Sequence, residues 1–280
     1  MNTRASALRA GRMLAIMFAS ILAAIFLLMS LGNGGSPRPV QAGAEVYYVS
    51  PMGADTNSCV TIAAPCRTVQ AALRKAGPFA EIRVATGVYT DPAGTVAVIT
   101  QTVALRGGWS TDFAVQAPLS YPTTLDARRL GSVVYITGSI TPTIEGFIIT
   151  RGDGTNVPGC PEMFAGGCGG GIFSLQAGPR IISNVIINNV ASTLDRWLGY
   201  GGGIYVGYAQ HPPLIQGNQV LSNMASTVYV GDGGGICLSH SAGAQLRANQ
   251  VRGNTASPSD AGNGGGIYVL GSQVTMRDNE

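Results

Sequence analysis

The chain has 280 residues, of which 11% are charged and 45% hydrophobic, with 40 glycines and 15 prolines. This composition excludes a charge-rich disordered chain, and glycine without a three-residue period excludes a collagen helix. Four of the 17 basic residues lie in the first 44 positions, which leaves 13 basic against 14 acidic residues in the remainder. We therefore expect no basic stripe in this remainder and no nucleic-acid partner.

The N-terminal segment has the pattern of an export signal. Three arginines precede an uncharged apolar run over residues 13–31, and the small residues Ala42-Gly43-Ala44 follow it. The run exceeds the roughly 7–15 residues of a cleavable signal core and approaches the roughly 20 of a membrane span. We interpret residues 1–44 as a signal peptide or as an uncleaved signal anchor with its linker. Residues 45–280 are then extracellular or displayed at the cell surface, and only an uncleaved N-terminal segment would contact a membrane.

The five cysteines fit an oxidising compartment. Cys59 and Cys66 are seven positions apart. Cys160 and Cys168 are eight positions apart, so two local disulfides are the simplest pairing. Cys237 is left over, and its strand-like surroundings indicate a small buried side chain. A zinc site is the competing interpretation, but with two histidines and no Cys-x-x-Cys pair we expect no metal.

One helix is expected near the start of the exported part, over residues 67–77. Thr68 is a candidate N-cap, and Gly77-Pro78 ends the segment. The apolar positions between them share one helical face: Val69, Ala72, Leu73 and Ala76. We predict that this helix caps an open end of the fold, held in place by a Cys59–Cys66 bridge.

Short apolar runs fill residues 45–165 without a strict repeat. Turn residues separate these runs, and none reaches the length of a helix, which predicts short strands at 82–85, 96–99, 103–106, 133–136 and 147–149. Residues 144–149 align with residues 182–187, which puts Gly146 at the position of Asn184. We interpret residues 45–165 as divergent early coils of a solenoid.

A regular repeat occupies residues 166–280. The segment Gly-Gly-Gly-Ile recurs at intervals of 32, 32 and 31 residues and begins at Gly169, Gly201, Gly233 and Gly264. Each complete unit continues through two more apolar segments and a polar loop, so the pattern predicts three short strands per unit. Such coils stack into an all-β fold, a parallel β-solenoid with a continuous apolar interior.

Asparagine recurs within each unit. The first series is Asn184, Asn218, Asn249 and Asn279, and a second asparagine follows five residues after each of the first three. A corner between strands needs a residue that tolerates the left-handed backbone region, where asparagine is enriched, and stacked asparagines hydrogen-bond along a ladder. We therefore predict a structural corner ladder. The glycine triplets are expected to form tight turns, because no Gly-Lys-Ser/Thr phosphate motif accompanies them.

Five segments are typical of a known protein family: residues 46–50 (VYYVS), 68–73 (TVQAAL), 82–89 (IRVATGVY), 105–109 (LRGGW) and 144–149 (IEGFII). Together they resemble the N-terminal pattern of right-handed parallel β-helix proteins of the pectin-lyase-like superfamily. The Gly-Gly-Gly-Ile-Tyr units with spaced asparagines are also similar to repeats of polymorphic outer-membrane proteins. The resemblance covers about residues 45–280 and implies a right-handed parallel β-helix with an N-terminal capping helix. Unrelated activities share this fold.

Paired carboxylates suited to catalysis are missing from the sequence. Lyases and hydrolases of the family that this chain resembles require clustered acids, whereas here no Asp-Asp doublet, Asp-His pair or Gly-His-Gly occurs. The acids of the repeat region occur about once per unit in expected loops, which is typical of solvated side chains: Asp153, Glu162, Asp195, Asp232 and Asp260. We predict no catalytic residue and no cofactor.

Aromatic side chains in the variable loops are the candidate ligand contacts: Trp197, Tyr200, Tyr208 and Tyr229. Such rings stack on sugars or anchor a protein partner, unless the loops fold them onto the solenoid wall. We predict an exported, non-catalytic protein for adhesion, glycan binding or structure, with an extracellular glycan or surface protein as partner. The alternative is a polysaccharide lyase or glycoside hydrolase that acts on acidic glycans. We also expect the array to continue beyond Glu280, unless a partner covers its end.

Overall fold

The structure is a computed structural model that describes residues 44–155, 157–161, 165–195, 198–258 and 262–280. These residues belong to one compact unit, Ala44–Glu280. The predicted export segment, apart from Ala44, and Trp197 lie outside the described residues. Within the described ranges, no helix combines the length and hydropathy needed to cross a bilayer.

Short strands make up nearly all of the regular structure. One helix, α1 (Val69–Lys75), lies near the start of the unit. The strands, in chain order, are β1 (Val46–Val49), β2 (Glu81–Ala85), β3 (Gly87–Tyr89), β4 (Ala97–Ile99), β5 (Ala104–Trp109), β6 (Thr123–Asp126), β7 (Val134–Thr137), β8 (Thr143–Glu145), β9 (Ile148–Thr150), β10 (Ala165–Cys168), β11 (Ile172–Leu175), β12 (Arg180–Ile182), β13 (Val185–Ile187), β14 (Val190–Ser192), β15 (Leu198–Tyr200), β16 (Ile204–Gly207), β17 (Leu214–Gln216), β18 (Gln219–Leu221), β19 (Met224–Ser226), β20 (Gly231–Asp232), β21 (Ile236–Ser239), β22 (Ala244–Arg247), β23 (Gln250–Arg252), β24 (Ile267–Leu270) and β25 (Val274–Arg277).

The strands stack into five sheets. Sheet I has the order β1-β2-β5-β8-β12-β17-β22-β25, sheet II the order β3-β6-β9-β13-β18-β23, and sheet III the order β4-β7-β11-β16-β21-β24. Sheet IV is β14-β19, and sheet V is β10-β15-β20. Each pairing of these described strands is parallel. The fold is therefore a parallel β-helix, which confirms the predicted class.

The four Gly-Gly-Gly-Ile segments lie directly above one another. The register of sheet III aligns their isoleucines in a single column: Ile172, Ile204, Ile236 and Ile267. One sequence repeat is thus one coil of the solenoid, as predicted.

The coils that begin at β11 and β16 contain five strands each instead of the predicted three, whereas the coil that begins at β21 has the predicted three, β21, β22 and β23, among the described residues. The coil that begins at β11 continues through β12, β13, β14 and β15 before β16 starts the next. Val190–Ser192 and Leu198–Tyr200, for which the repeat pattern predicts no strand, form β14 and β15. These strands are three residues long and contain Ala, Ser and Gly, so they lack the apolar run that marks a strand in sequence.

The interior of the coils is a stack of aliphatic side chains. In sheet I, one inward column is completely buried: Ile82, Leu105, Ile144, Ile181, Ile215 and Leu246. Burial of each such side chain contributes about 1.5–3 kcal/mol. Because successive side chains of a strand point to opposite faces, the neighbours of these residues point outward.

A second apolar cluster lies on the outer side of sheet III. The ring of Phe173 stacks on Tyr135 at 5.1 Å and on Tyr205 at 5.6 Å between ring centroids. Cys168 and Tyr200 of sheet V belong to the same buried cluster. Sheet V therefore covers aromatic side chains that would otherwise face solvent.

Helix α1 packs on the first coil, with narrower bounds than predicted. It runs Val69–Lys75, and Oγ1 of Thr68 accepts a hydrogen bond from the amide of Ala71 (3.2 Å), which confirms the N-cap. The helix contacts β1, β2 and β4, and β1 and β4 are the end strands of sheets I and III. Its buried face thus closes the N-terminal end of the apolar interior.

Ser174 is a polar exception in the interior of sheet III. Its Oγ is buried without a hydrogen-bond partner, and its strand neighbours in adjacent coils are Ile136 and Val206. We expect Ser174→Ala to raise the free energy of unfolding by about 1 kcal/mol, because it removes an unpaired buried hydroxyl. Chemical denaturation followed by circular dichroism measures this change.

Ser132→Ala is the matched control for that prediction. Ser132 is also buried, but its Oγ donates to the carbonyl oxygen of Gly169 (2.6 Å). This variant should lose about 1 kcal/mol of stability. A loss of stability in Ser174→Ala as well would contradict the assignment of an unpaired hydroxyl.

Candidate functional site

Buried asparagines form two ladders along the corners of the coils. In the first, Nδ2 donates to Oδ1 of the next asparagine at 3.1, 3.0 and 2.8 Å, in the order Asn184, Asn218, Asn249 and Asn279. The second ladder has 3.0 Å at each step and consists of Asn189, Asn223 and Asn254. Each Nδ2 also donates to a backbone carbonyl of the preceding coil. The asparagines therefore join coils to one another.

The left-handed residue of the first corner is the one before each asparagine. The positive φ angles are 52°, 64°, 51° and 55° at Ser183, Gly217, Ala248 and Asp278. The prediction that asparagine itself adopts this conformation is therefore wrong. Its side chain must reach the next coil, so the preceding residue makes the bend.

The predicted alignment of Gly146 with Asn184 is wrong by one residue. Strand register pairs Ile144 with Ile181, so Gly146 occupies the position of Ser183. The φ of Gly146 is 77°, which matches the left-handed corner. The amide of Phe147 donates to Oδ1 of Asn184 (3.0 Å), so the ladder begins on a backbone group.

Both predicted disulfides are present. Cys59 and Cys66 are bridged with a Cα–Cα distance of 5.0 Å, and Cys160 and Cys168 with 5.8 Å. The first bridge lies immediately before helix α1. Cys237 is buried in β21, within the cluster outside sheet III.

The predicted aromatic contacts are dispersed. Tyr200 is 7% exposed and belongs to the cluster outside sheet III, so its interpretation as an exposed contact is wrong. Tyr208 and Tyr229 are 40% and 39% exposed. Tyr208 follows β16, whereas Tyr229 lies between β19 and β20, so the two rings occupy different turns of the coil.

The turn after sheet III carries a column of left-handed residues. In successive coils they are Gly138, Gln176, Tyr208, His240 and Gly271. A residue other than glycine in this conformation costs on the order of 1–3 kcal/mol, and such strain concentrates at ligand-contact positions. The first and last positions of this column are glycine, whereas the three positions between them are the larger residues Gln176, Tyr208 and His240. This turn column is therefore a candidate ligand contact.

Tyr208 and His240 form an exposed stacked pair in the turn column. Their ring centroids are 4.7 Å apart, and the rings are inclined by 11°. Nδ1 of His240 lies 3.0 Å from Oγ of Ser239, which holds the imidazole. The other histidine, His211, contacts Oγ of Ser139 through Nε2 (3.2 Å). The stack occupies one face of each ring, and Tyr208 stays 40% exposed, so a ligand such as a sugar can contact the rest of the tyrosine ring.

Two acids of the repeat region have structural roles. Asp232, predicted to be solvated, is buried in β20, and its Oδ1 accepts hydrogen bonds from the amide and from Nδ2 of Asn263 (2.9 Å each). Oδ1 of Asp153 accepts from the amide of Thr155 (2.9 Å). Glu162 and Asp260 lie outside the described residues. In the part of the chain that the structure describes, no cluster of three His, Cys, Asp or Glu side chains could hold a metal ion.

Arg151-Gly152-Asp153 matches a cell-attachment tripeptide, but it is tied into the solenoid. Nε of Arg151 donates to both carboxylate oxygens of Asp126 (2.9 and 3.0 Å). Burial raises the pKa of Asp126, but hydrogen bonds from Arg151 and from the amide of Arg128, with their charges, outweigh it and hold the pKa below its ordinary value. The Arg151 guanidinium is therefore engaged within the fold.

The Asp126–Arg151 pair should make the fold sensitive to acid. In the folded state the pKa of Asp126 is lower than its ordinary value of 3.8. Its ionised carboxylate therefore stabilises the fold at pH values above 3.8. This contribution is lost as the pH falls through the folded pKa. Below about pH 4, the thermal midpoint of the native protein should therefore fall more steeply than that of Asp126→Asn. Parallel curves for the two proteins would contradict this role.

Arginines crowd the outward face of sheet I: Arg83, Arg106, Arg180, Arg247 and Arg277. Arg83 pairs with Glu81 (2.9 Å) and lies 4.4 Å over the ring of Trp109. Arg106 pairs with Glu145. Arginines that are far apart in sequence therefore meet on one sheet, where glutamates of the same face neutralise two of them.

A groove of about 430 Å³ lies beside the corner between sheets I and II. Its apolar lining includes Pro118, Leu119, Pro122, Ile148 and Val185. None of its lining residues is charged. The groove therefore has no group for acid–base chemistry.

By its strand register, the chain is a parallel β-helix protein. No protein-family model matches it, and no curated protein matches it. Among solved structures, a rhamnogalacturonan lyase is similar with a TM-score of 0.37 and 11% sequence identity, over 84% of this chain and 68% of that chain.

Proposed function

We propose that the protein is exported and non-catalytic, and that it binds glycans through the turn column. The observation that carries this proposal is the exposed stack of Tyr208 on His240, which is kept on a left-handed backbone. Rings fixed on a rigid solenoid lose little conformational freedom when a ligand binds. Adhesion to a glycan-bearing surface, or a structural role on such a surface, follows from this binding.

We place the protein at the cell surface or outside the cell. Two disulfides support an oxidising compartment. The apolar run over residues 13–31 supports export. The likeness of the Gly-Gly-Gly-Ile units to repeats of polymorphic outer-membrane proteins favours surface display.

The variant Tyr208→Gly tests the proposal. Its affinity for immobilised neutral oligosaccharides of glucose, mannose or galactose should fall at least about tenfold, the equivalent of about 1.4 kcal/mol. Its free energy of unfolding should be maintained, because glycine relieves the left-handed strain while the stacking contact is lost. Surface plasmon resonance and chemical denaturation measure the two effects.

Tyr229→Ala is the matched control, since Tyr229 is equally exposed on a different turn. It should bind these glycans as the native protein does. Equal losses in the two variants, or a native protein that binds no neutral glycan, would argue against the turn column.

Cleavage of acidic glycans is the second candidate function. One observation favours it: Arg106 lies between two carboxylates, with Nε 3.9 Å from Glu81 and a terminal nitrogen paired with Glu145. A guanidinium can hold the carboxylate of an acidic sugar beside a glutamate that accepts a proton. Incubation with polyuronates, with and without calcium, tests this candidate. Unsaturated or reducing ends that vanish in Arg106→Gln would support cleavage and overturn the non-catalytic proposal.

A further inference from the structure

The N-terminal end of the solenoid carries exposed apolar side chains. Val60 and Ile62 are exposed on the loop between β1 and α1, and Met52, at the start of this loop, is 93% exposed. Phe79, in the segment between α1 and β2, is 71% exposed. Scattered single apolar residues are ordinary on a protein surface, whereas several at one end of a fold mark a contact surface. We call these four residues the apolar cap patch.

The loop of the apolar cap patch lies over the end strand of sheet I. The amide of Tyr48 in β1 donates to the carbonyl oxygen of Cys59 (2.7 Å), and the amide of Cys66 donates to the carbonyl oxygen of Tyr48 (2.8 Å). The Cys59–Cys66 disulfide closes the loop, and Met52 and Ile62 line one pocket of about 340 Å³. The apolar side chains of the loop therefore lie near one another on a braced support.

Phe79 is kept exposed on a strained backbone. Its φ of 66° lies in the left-handed region, where a residue other than glycine costs on the order of 1–3 kcal/mol. Two residues later, the amide of Glu81 donates to the carbonyl oxygen of Glu45 (2.9 Å). Phe79 is therefore close to the point where the chain enters the solenoid at Ala44. Such strain concentrates at contact sites, which distinguishes this ring from an ordinary exposed side chain.

The sequence before Ala44 indicates which end of the solenoid is nearer to a membrane. Residues 32–43 (GNGGSPRPVQAG) join Ala44 to the apolar run over residues 13–31, which has nearly the length of a membrane span. For a glycine-rich chain of this length, the root-mean-square end-to-end distance is about 20 Å. The last strand of sheet I, β25, lies seven strand spacings from β1, which is about 34 Å. A bilayer that holds the apolar run is therefore nearer to the N-terminal end than to the C-terminal end.

The charges at this end suit an anionic lipid surface. Arg67 directly follows the loop and Arg74 lies on α1, both exposed, and among the described residues neither forms an ion pair. The carboxylate of Asp55 accepts hydrogen bonds from the amides of Arg67 and Thr68 (2.9 and 2.8 Å), so it is engaged within the cap. Basic side chains near a membrane attract the headgroups of anionic lipids.

We infer that the apolar cap patch contacts a lipid surface, while residues 13–31 stay in the bilayer as an uncleaved signal anchor. Apolar side chains of a protein surface that lies on a membrane enter about 5–10 Å into the boundary between headgroups and acyl chains. The contact extends the sequence-based expectation, in which only the N-terminal segment touches a membrane. It rests on the proposed location at the cell surface, and it directs the coils away from the lipid.

Tryptophan fluorescence of the full chain in lipid vesicles tests the inference. The vesicles contain phosphatidylcholine and phosphatidylglycerol with brominated acyl chains, which quench tryptophan at short range. In Phe79→Trp, the fluorescence that the new ring adds to the native signal should fall at least about twofold, because the ring enters the boundary of the acyl chains. Tyr229→Trp is the matched control, since Tyr229 is an exposed aromatic residue between β19 and β20. Its added fluorescence should not change.

Removal of the apolar side chains of the loop should weaken this quenching. When Met52→Ser and Ile62→Ser are added to Phe79→Trp, the quenching should fall at least about twofold, because the apolar area that enters the lipid is lost. The control pair, Leu119→Ser with Val228→Ser, removes two exposed apolar side chains from other parts of the surface. It should leave the quenching of Phe79→Trp unchanged. Circular dichroism verifies that each variant is folded.

Three results would overturn the lipid contact. They are no quenching of Phe79→Trp, equal quenching of Tyr229→Trp, and a chain that is recovered without residues 13–31 and does not bind the vesicles. Shielding of Phe79→Trp from aqueous iodide by a partner protein, but not by lipid, would assign the patch to protein docking instead. Tyr208→Gly should leave the quenching unchanged, and Phe79→Ser should leave the binding of neutral glycans unchanged. Failure of the turn column and failure of the lipid contact are therefore distinguishable.

Discussion

Replacement of Gly203 by alanine is expected to lower the free energy of unfolding by about 3 kcal/mol, at the upper end of overpacking costs. Gly203 is the third glycine of its triplet, and an alanine Cβ there would lie 2.6 Å from the carbonyl oxygen of Gly235 in the next coil. That oxygen accepts a hydrogen bond from the amide of Ile204 (2.8 Å). It cannot move away without weakening the bond that joins the two coils.

Gly266→Ala is the matched control, because Gly266 is the third glycine of the last triplet. Its added Cβ would meet only Cγ1 of Val251, at an ordinary contact distance of 3.4 Å. We expect a change within about 0.5 kcal/mol. Urea denaturation of the two variants measures the difference. Equal losses would mean that the triplets require glycine for a reason other than the approach of the next coil.

The stacking of coils was predictable because the Gly-Gly-Gly-Ile segments recur at the length of one coil. The corner asparagines recur at 34, 31 and 30 residues, so they and not equal spacing identify the register of the following strands. Sheets IV and V were not predictable in this way. Val190–Ser192 and Leu198–Tyr200 are short and carry Ala, Ser and Gly, so their strand character depends on pairing with coils above and below.

At the corners, the backbone preference of asparagine conflicts with the hydrogen bonds that its side chain makes to the next coil. Asparagine favours the left-handed region when only its own backbone is considered. In the ladder its amide must reach the asparagine of the next coil, so the bend moves to the preceding residue. Ala248 accepts that conformation, although alanine disfavours it. The asparagines of the ladder could therefore be predicted from the sequence, whereas the residue that adopts the left-handed conformation could not.

Candidate binding surfaces were only partly readable from the sequence. Tyr208 was identified as an aromatic residue in a variable loop, but its stack on His240 joins positions 32 residues apart. Arg247 and Arg277 are 30 residues apart, and the net charge of the chain does not show that they are neighbours in the fold. Alignment of the repeats by their corner asparagines would have put these arginines in one column.

Removal of the Asn218 side chain should cost about 4 kcal/mol, since several buried partners would be left unsatisfied at about 1–3 kcal/mol each. Nδ2 of Asn218 donates to the carbonyl oxygen of Ile181 (2.8 Å) and to Oδ1 of Asn249 (3.0 Å). Its Oδ1 accepts hydrogen bonds from the amide and from Nδ2 of Asn184 (2.9 and 3.1 Å). Asn218→Ala should therefore lower the urea midpoint strongly. Asn279→Ala, at a half-buried end of the same ladder, should cost about 1 kcal/mol.

Asn218→Asp distinguishes loss of the donor from loss of the whole side chain. The new carboxylate would still accept the two hydrogen bonds from Asn184, but it would face two acceptors, the Ile181 carbonyl and Asn249 Oδ1. We expect burial and these acceptors to raise the pKa of the new carboxyl above its ordinary range. Its protonated form supplies one donor, so stability relative to the native protein should recover as the pH falls through that pKa. If the deficit stays constant between pH 7 and pH 4, the ladder depends on side-chain volume and not on alternating donors and acceptors.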